Sequence, residues 1–367
     1  MKGISIYRAT FILAFGIALV AALYYGRQFF IPFTFGCLLA MLFLPVCKKL
    51  ESWGVGRVPA ILLCLFLIFL LLGAVAAVLS LQAASFAKDL PQIQEKLTQV
   101  ITTLQDWIQS RFGVSPQKQL DMLKKGVSSL SQSGSNFVTM FFSGLLGSLT
   151  SFALVLVYIF FLLWKREKYE EFFLKLTRNE NKPEAKETLG QITKVSSDYL
   201  AGRMLSMGML AILYSIGFSI VGLKNGILLG IIAVIPTIIP YVGPLIGGFF
   251  PLAMAFVASS SDLVIPVLLV LVVAQAVDNY LIEPFVLGSN LNLSPFVTIV
   301  SIVVGELIWG VAGMILFIPL FAMIHIVADH VPALHPIAFL LGDTEGEPAF
   351  IGKIKEWVGK AKEKAKK

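Results

Sequence analysis

The chain has 367 residues, of which 57% are hydrophobic and 14% are charged, and its net charge is +7. Soluble domains carry about 25% charged residues, so the composition excludes an ordinary soluble protein and predicts an all-α polytopic membrane protein. The positive charge does not indicate a nucleic-acid partner, because the basic residues cluster in short loops and in the tail. The lipid bilayer is the first partner that we expect.

Apolar runs predict about eight transmembrane segments. A second run follows the first after only three residues, which indicates an uncleaved anchor rather than a signal peptide. The segments are 4–25, 29–46, 58–81, 137–163, 203–222, 226–257, 263–282 and 295–328.

Two of these segments, 226–257 and 295–328, are longer than the roughly 20 residues that one crossing needs. Each is either one tilted, kinked helix or a pair of half-helices that turns back. Lys and Arg number 21 on one side and eight on the other if the N-terminus is cytoplasmic, which agrees with the positive-inside rule. The seven-lysine tail then also lies inside, provided that both long segments cross or both turn back.

Two polar inserts and a basic tail complete the predicted organisation. Each insert has helical apolar spacing, and the first either makes subunit contacts or lies on the membrane surface. The tail is a basic amphipathic helix suited to anionic lipid. The predicted regions are 1–81 (three transmembrane helices), 82–135 (extracytoplasmic insert), 136–164 (fourth helix), 165–202 (cytoplasmic insert), 203–328 (transport core) and 329–367 (cytoplasmic tail).

The stretch 234–251, VIPTIIPYVGPLIGGFFP, has no charge but is interrupted by proline and glycine. Proline removes a backbone donor, and lipid cannot satisfy the carbonyls that it frees, so such backbone is expected inside protein or beside water. The stretch is therefore either a cavity-lining break, as in transporters, or one kinked helix. Its candidate pathway residues are Pro236, Pro240, Tyr241, Gly243, Pro244 and Gly247.

Three acidic residues, Asp278, Glu283 and Glu306, are predicted at membrane depth, where a carboxylate is costly and usually functional. In an α-helix, Gln275, Asn279 and Glu283 would share one face. Pro284 and Gly288 should end that helix and leave carbonyls available to a solute. The alternative is that the carboxylates bond locally near the interface.

Enzymatic and cofactor signatures are not evident. The sequence has no GxxxxGK[ST], G-x-S-x-G or H-E-x-x-H motif, so we expect neither an enzyme nor an ATP-driven motor. The three cysteines, Cys37, Cys47 and Cys64, indicate no disulfide framework or zinc site. Histidines at 325, 330 and 335 are five residues apart, a poor spacing for metal ligands on a helix. No cofactor or metal is predicted.

Residues 239–251, IPYVGPLIGGFFP, and 275–295, QAVDNYLIEPFVLGSNLNLSP, resemble the two proline motifs of the AI-2E family of permeases, the autoinducer-2 exporters. The glycine-rich last span, Gly305 to Pro319, is similar too. The resemblance implies an inner-membrane permease, a homo-oligomer, that exports a small polar molecule; some members are linked to sodium–proton antiport. It further implies that the pathway is lined or shaped by Pro240, Gly243, Pro244, Asp278, Asn279, Pro284, Gly288 and Pro295.

The sequence departs from the family at Glu283 and Glu306, where less acidic residues are expected. Our main hypothesis is a secondary transporter that exports a small hydroxylated metabolite by alternating access. The second is sodium or lithium exchange for protons at Asp278 and Glu306, and the third is a non-transporting scaffold.

Overall fold

A computed structural model describes residues 6–78, 150–257, 261–286 and 292–343, together with the single residues 80, 95, 99 and 102. The tail helix, most of the insert 82–135 and the start of the fourth predicted span therefore lie outside the described residues. Within the described ranges the chain is helical, and the single β-type pairing there is a bridge between Leu293 and Gly342.

Helices follow the apolar runs of the sequence closely. Five of them, α2, α3, α6, α9 with its continuation to Ile282, and α12, are long and apolar enough to cross a membrane. This confirms the prediction of an all-α, multi-pass membrane protein. The helices are α1 (Ile6–Tyr25), α2 (Arg27–Ser52), α3 (Arg57–Val78), α4 (Thr150–Trp164), α5 (Arg166–Leu176), α6 (Lys182–Val221), α7 (Gly226–Val234), α8 (Val242–Val257), α9 (Val264–Val277), α10 (Glu283–Val286), α11 (Pro295–Trp309), α12 (Val311–His330) and α13 (His335–Leu341).

The chain divides into two compact units. The first comprises Met1–Leu67, Ser151–Ser206 and Asn279–Lys367, and the second comprises Ile68–Thr150 and Met207–Asp278. The predicted boundary between the cytoplasmic insert and the transport core, at 202/203, falls inside α6, which is one continuous helix of 40 residues.

In the first unit, the long segment 295–328 turns back on itself. Ser294 caps α11 by accepting a hydrogen bond from the Val297 N–H at 3.3 Å, and Pro295 occupies the first turn, where no intrahelical donor is needed. The chain then reverses at Gly310, whose φ of 60° is unfavourable for other residues. Helices α11 and α12 consequently form an antiparallel hairpin.

Close backbone contact holds the α11–α12 hairpin together. A methyl group on Gly305 would overlap the carbonyl of Gly313, and a methyl group on Gly313 would overlap the carbonyl of Gly305. Beyond this contact, Trp309 packs edge-on against Phe317 at 5.2 Å between ring centroids. The indole N–H of Trp309 donates to the Leu23 carbonyl at 3.0 Å, which ties α1 to the hairpin.

In the second unit, the other long segment, 226–257, also turns back. Its first arm is α7 plus a 3₁₀ turn, Gly226–Ile238, and its second arm is α8. At about 1.5 Å per residue, neither arm reaches the roughly 30 Å of a hydrocarbon core. A buried core that includes Tyr214, Leu229 and Val267 packs this hairpin against α6 and α9.

A four-residue ion network lies where α2, α3, α4 and α5 end or begin. Arg57 Nη2 is 2.6 Å from Glu167 Oε1, and Arg166 Nη2 is 2.6 Å from Glu51 Oε2. Partial burial would raise the pKa of Glu167, but hydrogen bonds from its own backbone, Arg57 and Arg166 hold it below its usual range. The network therefore fixes the first turn of α5 to the α2–α3 connection.

Candidate functional site

The proline-rich stretch is broken where its sequence predicts a break. Helix α7 ends at Val234, a 3₁₀ turn covers Ile235–Ile238, and α8 starts only at Val242. Between them Tyr241 has a φ of 64°, the left-handed region that non-glycine residues rarely occupy. The hypothesis of one kinked helix through 234–251 is therefore wrong.

Hydrogen bonds close this break with short local turns. The Ile239 N–H donates to the Pro236 carbonyl at 3.0 Å, and the Gly243 N–H donates to the Ile239 carbonyl at 2.9 Å. The Val242 N–H donates to the Pro240 carbonyl at 2.7 Å. Pro240 has no N–H of its own to donate, and the Tyr241 side chain that follows it in the turn is exposed.

Two predicted pathway glycines have a packing role. A methyl group on Gly243 would overlap the Pro236 carbonyl, and one on Gly247 would overlap the Ala233 carbonyl. These positions let the two arms of the hairpin touch through their backbones. Pro244 is half-buried in the first turn of α8.

A buried carboxylate lies at the end of α9. Asp278 is 2% exposed, although a buried charge is costly unless it is paired or functional. It opens a five-residue π turn, Asp278–Ile282, that continues into α10. Such turns are rare and are often found at functional sites.

The π turn changes the polar face that the sequence suggested. With five residues wound more widely than an α-helix, Gln275, Asn279 and Glu283 do not follow one α-helical stripe. Asn279 is exposed, whereas Gln275 and Glu283 are half-buried. The division between the two units also falls between Asp278 and Asn279.

Within the second unit, Gln275 and Asp278 both interact with Tyr214 of α6. The Tyr214 hydroxyl, in a side chain that is 1% exposed, donates to Gln275 Oε1 at 3.3 Å. Asp278 interacts with the same tyrosine electrostatically. Tyr214 was not a predicted site residue, since an aromatic residue in an apolar helix usually serves only as core.

Within the first unit, the clearest addition to the predicted site is Arg203. Its Nη1 is 3.3 Å from Glu283 Oε1, and its side chain is 8% exposed compared with 37% for the glutamate. The sequence placed Arg203 at the polar end of a span and did not connect it with the buried carboxylates. One signal was available: apolar residues flank this cation in α6, with Leu200 and Ala201 before it and Met204 and Leu205 after it.

The remaining predicted residues lie apart from this ion pair or are not described. Glu306 is exposed on α11, and its backbone carbonyl accepts the Gly310 N–H at 2.8 Å. Pro295 is exposed in the first turn of α11, and Pro284 is the second residue of α10. Gly288 lies outside the described residues. In the ranges that the structure describes, no three His, Cys, Asp or Glu side chains form a metal-binding group.

The structure therefore groups the candidate residues by unit. The second unit contains the broken hairpin, Gln275 and Asp278, and the first contains Asn279 and the Arg203–Glu283 pair. A proline-broken hairpin and a π turn with a buried carboxylate suit solute or ion binding more than covalent chemistry.

Comparison with known proteins decides the family. The sequence pattern that defines the AI-2E family transporters matches residues 13–333 of the chain. The chain belongs to the AI-2E transporter family. This confirms the resemblance that the two proline motifs indicated.

Relatives of this AI-2E family member carry transport descriptions. The chain is 25% identical over 308 residues to "Putative transport protein YueF" of Bacillus subtilis (strain 168), covering 80% of this chain and 82% of YueF. It is 24% identical over 312 residues to "Putative transport protein YhhT" of Escherichia coli (strain K12), covering 83% and 86%. It is 28% identical over 347 residues to "Putative permease PerM" of the same strain, covering 87% and 94%. The AI-2E family member is accordingly a membrane transporter.

Proposed function

We propose that this AI-2E family member is an inner-membrane secondary transporter that exports a small polar solute, such as an autoinducer-like signal molecule. The observation that carries the proposal is the buried Asp278 carboxylate in a π turn, because such a group at membrane depth needs a functional partner to offset its cost. Its N- and C-termini would be cytoplasmic, and it would act as a homo-oligomer.

The chemistry of the proposed site follows from its polar groups. Tyr214 and Gln275 are hydrogen-bonded to each other in the core, and once exposed their hydroxyl and amide can bind a hydroxylated solute by donating and accepting hydrogen bonds. The Pro236, Ile239 and Pro240 carbonyls of the same unit can add acceptors, because each oxygen has two lone pairs and its local turn uses one. Alternating access would then rearrange the broken segments around the bound solute.

A second candidate is sodium or lithium exchange for protons, and the same Asp278 favours it. A carboxylate can bind either a proton or a hard cation, which is the exchange that antiport requires. Glu306 would be the second exchanging group in this hypothesis. Under export of a neutral solute, by contrast, Asp278 would orient the solute without carrying the coupled ion.

Purified protein in liposomes can test both candidates. One assay follows the loss of radiolabelled hydroxylated metabolites from the lumen, and the other follows the lumenal pH after a sodium or lithium jump. We expect metabolite efflux with Tyr214 and Gln275 intact, and a loss of about tenfold in Gln275→Ala, the effect of one lost hydrogen bond of roughly 1.4 kcal/mol. Sodium-coupled pH change that disappears in Asp278→Asn would instead establish the antiporter.

The matched control is Asp262→Asn, because Asp262 is an exposed carboxylate in the same unit. It should leave either activity within about twofold of the unmodified protein, as expected of a surface substitution. If neither solute efflux nor ion-coupled pH change occurs across the tested solutes, the proposal fails.

A further inference from the structure

Helix α5 presents an apolar face that the protein leaves uncovered. Tyr169, Phe172, Phe173 and Leu176 fall at i, i+3, i+4 and i+7, the spacing of one helical face. Their exposed fractions are 40%, 55%, 50% and 71%. Leu174, on another side of the helix, is half-buried instead, so α5 packs on the protein with a different face.

The position of α5 along the chain places its start at a membrane surface. The apolar helix α4 ends at Trp164, and Lys165 Nζ lies 4.1 Å from the centre of the Trp164 ring. Tryptophan beside a basic residue is typical of the boundary between hydrocarbon and water. Only Lys165 separates α4 from α5, so α5 has no length of chain in which to leave that boundary.

Ion pairs fix how α5 is turned. Its first residues pair with the α2–α3 connection through Arg166–Glu51 and Glu167–Arg57. One turn later, Glu170 pairs with Lys186 of α6 at 3.3 Å. None of these contacts uses the aromatic face, which is therefore held away from the rest of the unit.

We propose that α5 is an interfacial helix whose aromatic face inserts into the boundary between lipid headgroups and acyl chains. The continuity of α5 with the apolar helix α4 favours lipid over a protein partner. The exposed Lys168 and Lys175 can extend to the headgroups while their apolar stems follow the acyl region. An amphipathic helix of this kind lies about 5–10 Å deep in the interface.

Helix α5 carries equal numbers of basic and acidic residues. Its three basic residues, Arg166, Lys168 and Lys175, are balanced by Glu167, Glu170 and Glu171. Attraction to anionic lipid grows with net positive charge, and α5 has none. The insertion depth should therefore be the same in zwitterionic and in anionic membranes.

Spin-label accessibility of the full-length protein tests whether the aromatic face of α5 inserts into the membrane interface. In a background of Cys37→Ala, Cys47→Ala and Cys64→Ala, single labels are placed by Phe172→Cys, Leu176→Cys and Glu171→Cys, and the protein is reconstituted in phosphatidylcholine vesicles. Labels at 172 and 176 should collide with oxygen several times more than with a water-soluble nickel complex. The label at 171, on the polar side of the same helix, should show the reverse.

The depth of the labels at 172 and 176 should be the same in phosphatidylcholine vesicles with and without phosphatidylglycerol. A phosphatidylglycerol fraction of about 30% makes the vesicles anionic. Nickel access at 172 and 176 equal to that at 171 would overturn the proposal. So would protection of 172 and 176 from both reagents with spin–spin broadening, because that would mean a second copy of the chain covers the face. If Phe172→Cys does not give monodisperse protein, Tyr169→Cys carries the same test.

Discussion

Arg203 and Glu283 are 80 residues apart in sequence, yet Nη1 of the arginine lies 3.3 Å from Oε1 of the glutamate. The pair connects the long helix α6 to the short helix α10 that follows the π turn. The arginine is almost fully buried, whereas the glutamate is only partly buried. Removing the glutamate would therefore leave a buried positive charge, whereas removing the arginine would leave a partly exposed negative charge.

We expect Glu283→Ala to destabilise the protein more than the double variant Arg203→Ala/Glu283→Ala. Removing one partner of a buried pair costs about 3–5 kcal/mol, and the partial exposure of Glu283 should reduce this to roughly 1–3 kcal/mol. Thermal unfolding of the purified protein in detergent measures the difference. Arg178→Ala, at an exposed arginine of the same unit, is the control; equal loss in the single and double variants would contradict the pairing.

Gly247→Ala should disrupt the α7–α8 hairpin. The added methyl group would overlap the Ala233 carbonyl, and backbone cannot move aside as a flexible side chain can. Overpacking of this kind typically costs about 1–3 kcal/mol, so the midpoint of thermal unfolding should fall.

Gly208→Ala is the matched control for that prediction. Gly208 lies in α6 of the same unit with no atom within 4 Å of a new Cβ, and glycine inside a helix is about 0.5–1 kcal/mol less stable than alanine. Gly208→Ala should therefore raise the midpoint of thermal unfolding or leave it unchanged. A Gly247→Ala protein as stable as the Gly208→Ala protein would mean that the two arms do not touch as described.

Acid should weaken the network that holds α5. The pKa of Glu167 is lowered in the folded protein, so its contribution is fully present above the unfolded value of 4.5. The contribution is lost as the pH falls through the lowered folded value. Glu167→Gln should therefore flatten the decline in stability below about pH 4.5, measured as the unfolding midpoint against pH. Glu180→Gln, outside the network, should keep the decline of the unmodified protein.

Cys47 and Cys64 should form a disulfide when the membranes are treated with a membrane-permeant copper–phenanthroline oxidant. Their sulfur atoms lie 3.2 Å apart on α2 and α3, and both side chains are buried. The two thiols would lose two protons and pass two electrons to the oxidant. Tryptic peptides run without reductant should show 47 joined to 64, while Cys37 remains open to alkylation; a bridge to Cys37 would contradict the packing of α2 against α3.

Sequence reasoning succeeded where one local rule dominated. Long apolar runs must form helices in lipid, because no other open element satisfies its own backbone, and the prolines of 234–251 predicted either a break or a kink there. The sequence also indicated that 226–257 and 295–328 were too long for one straight crossing. It did not decide between tilting and turning back, because that choice depends on whether the two halves can pack against each other.

Packing decided that choice through glycines at which the two arms of each long segment meet. Gly305 touches Gly313, and Gly247 touches Ala233, so each long segment closes as a hairpin through backbone contact. The same dependence on packing explains why the sequence did not predict the geometry of the candidate site. Asp278 stood out by its cost in a membrane, but the π turn that displaces Asn279 from its face is a small difference in winding that local composition does not encode.

Composition and periodicity by themselves thus determined that the chain is a multi-pass helical membrane protein with interrupted segments, and its motifs indicated the family. Only the tertiary structure decided which charges meet. Arg203 pairs with Glu283, 80 residues away in sequence, and Arg166 pairs with Glu51, 115 residues away. The physical reason is that hydrophobic burial acts on each segment separately, whereas an ion pair depends on the relative placement of two segments after they have packed.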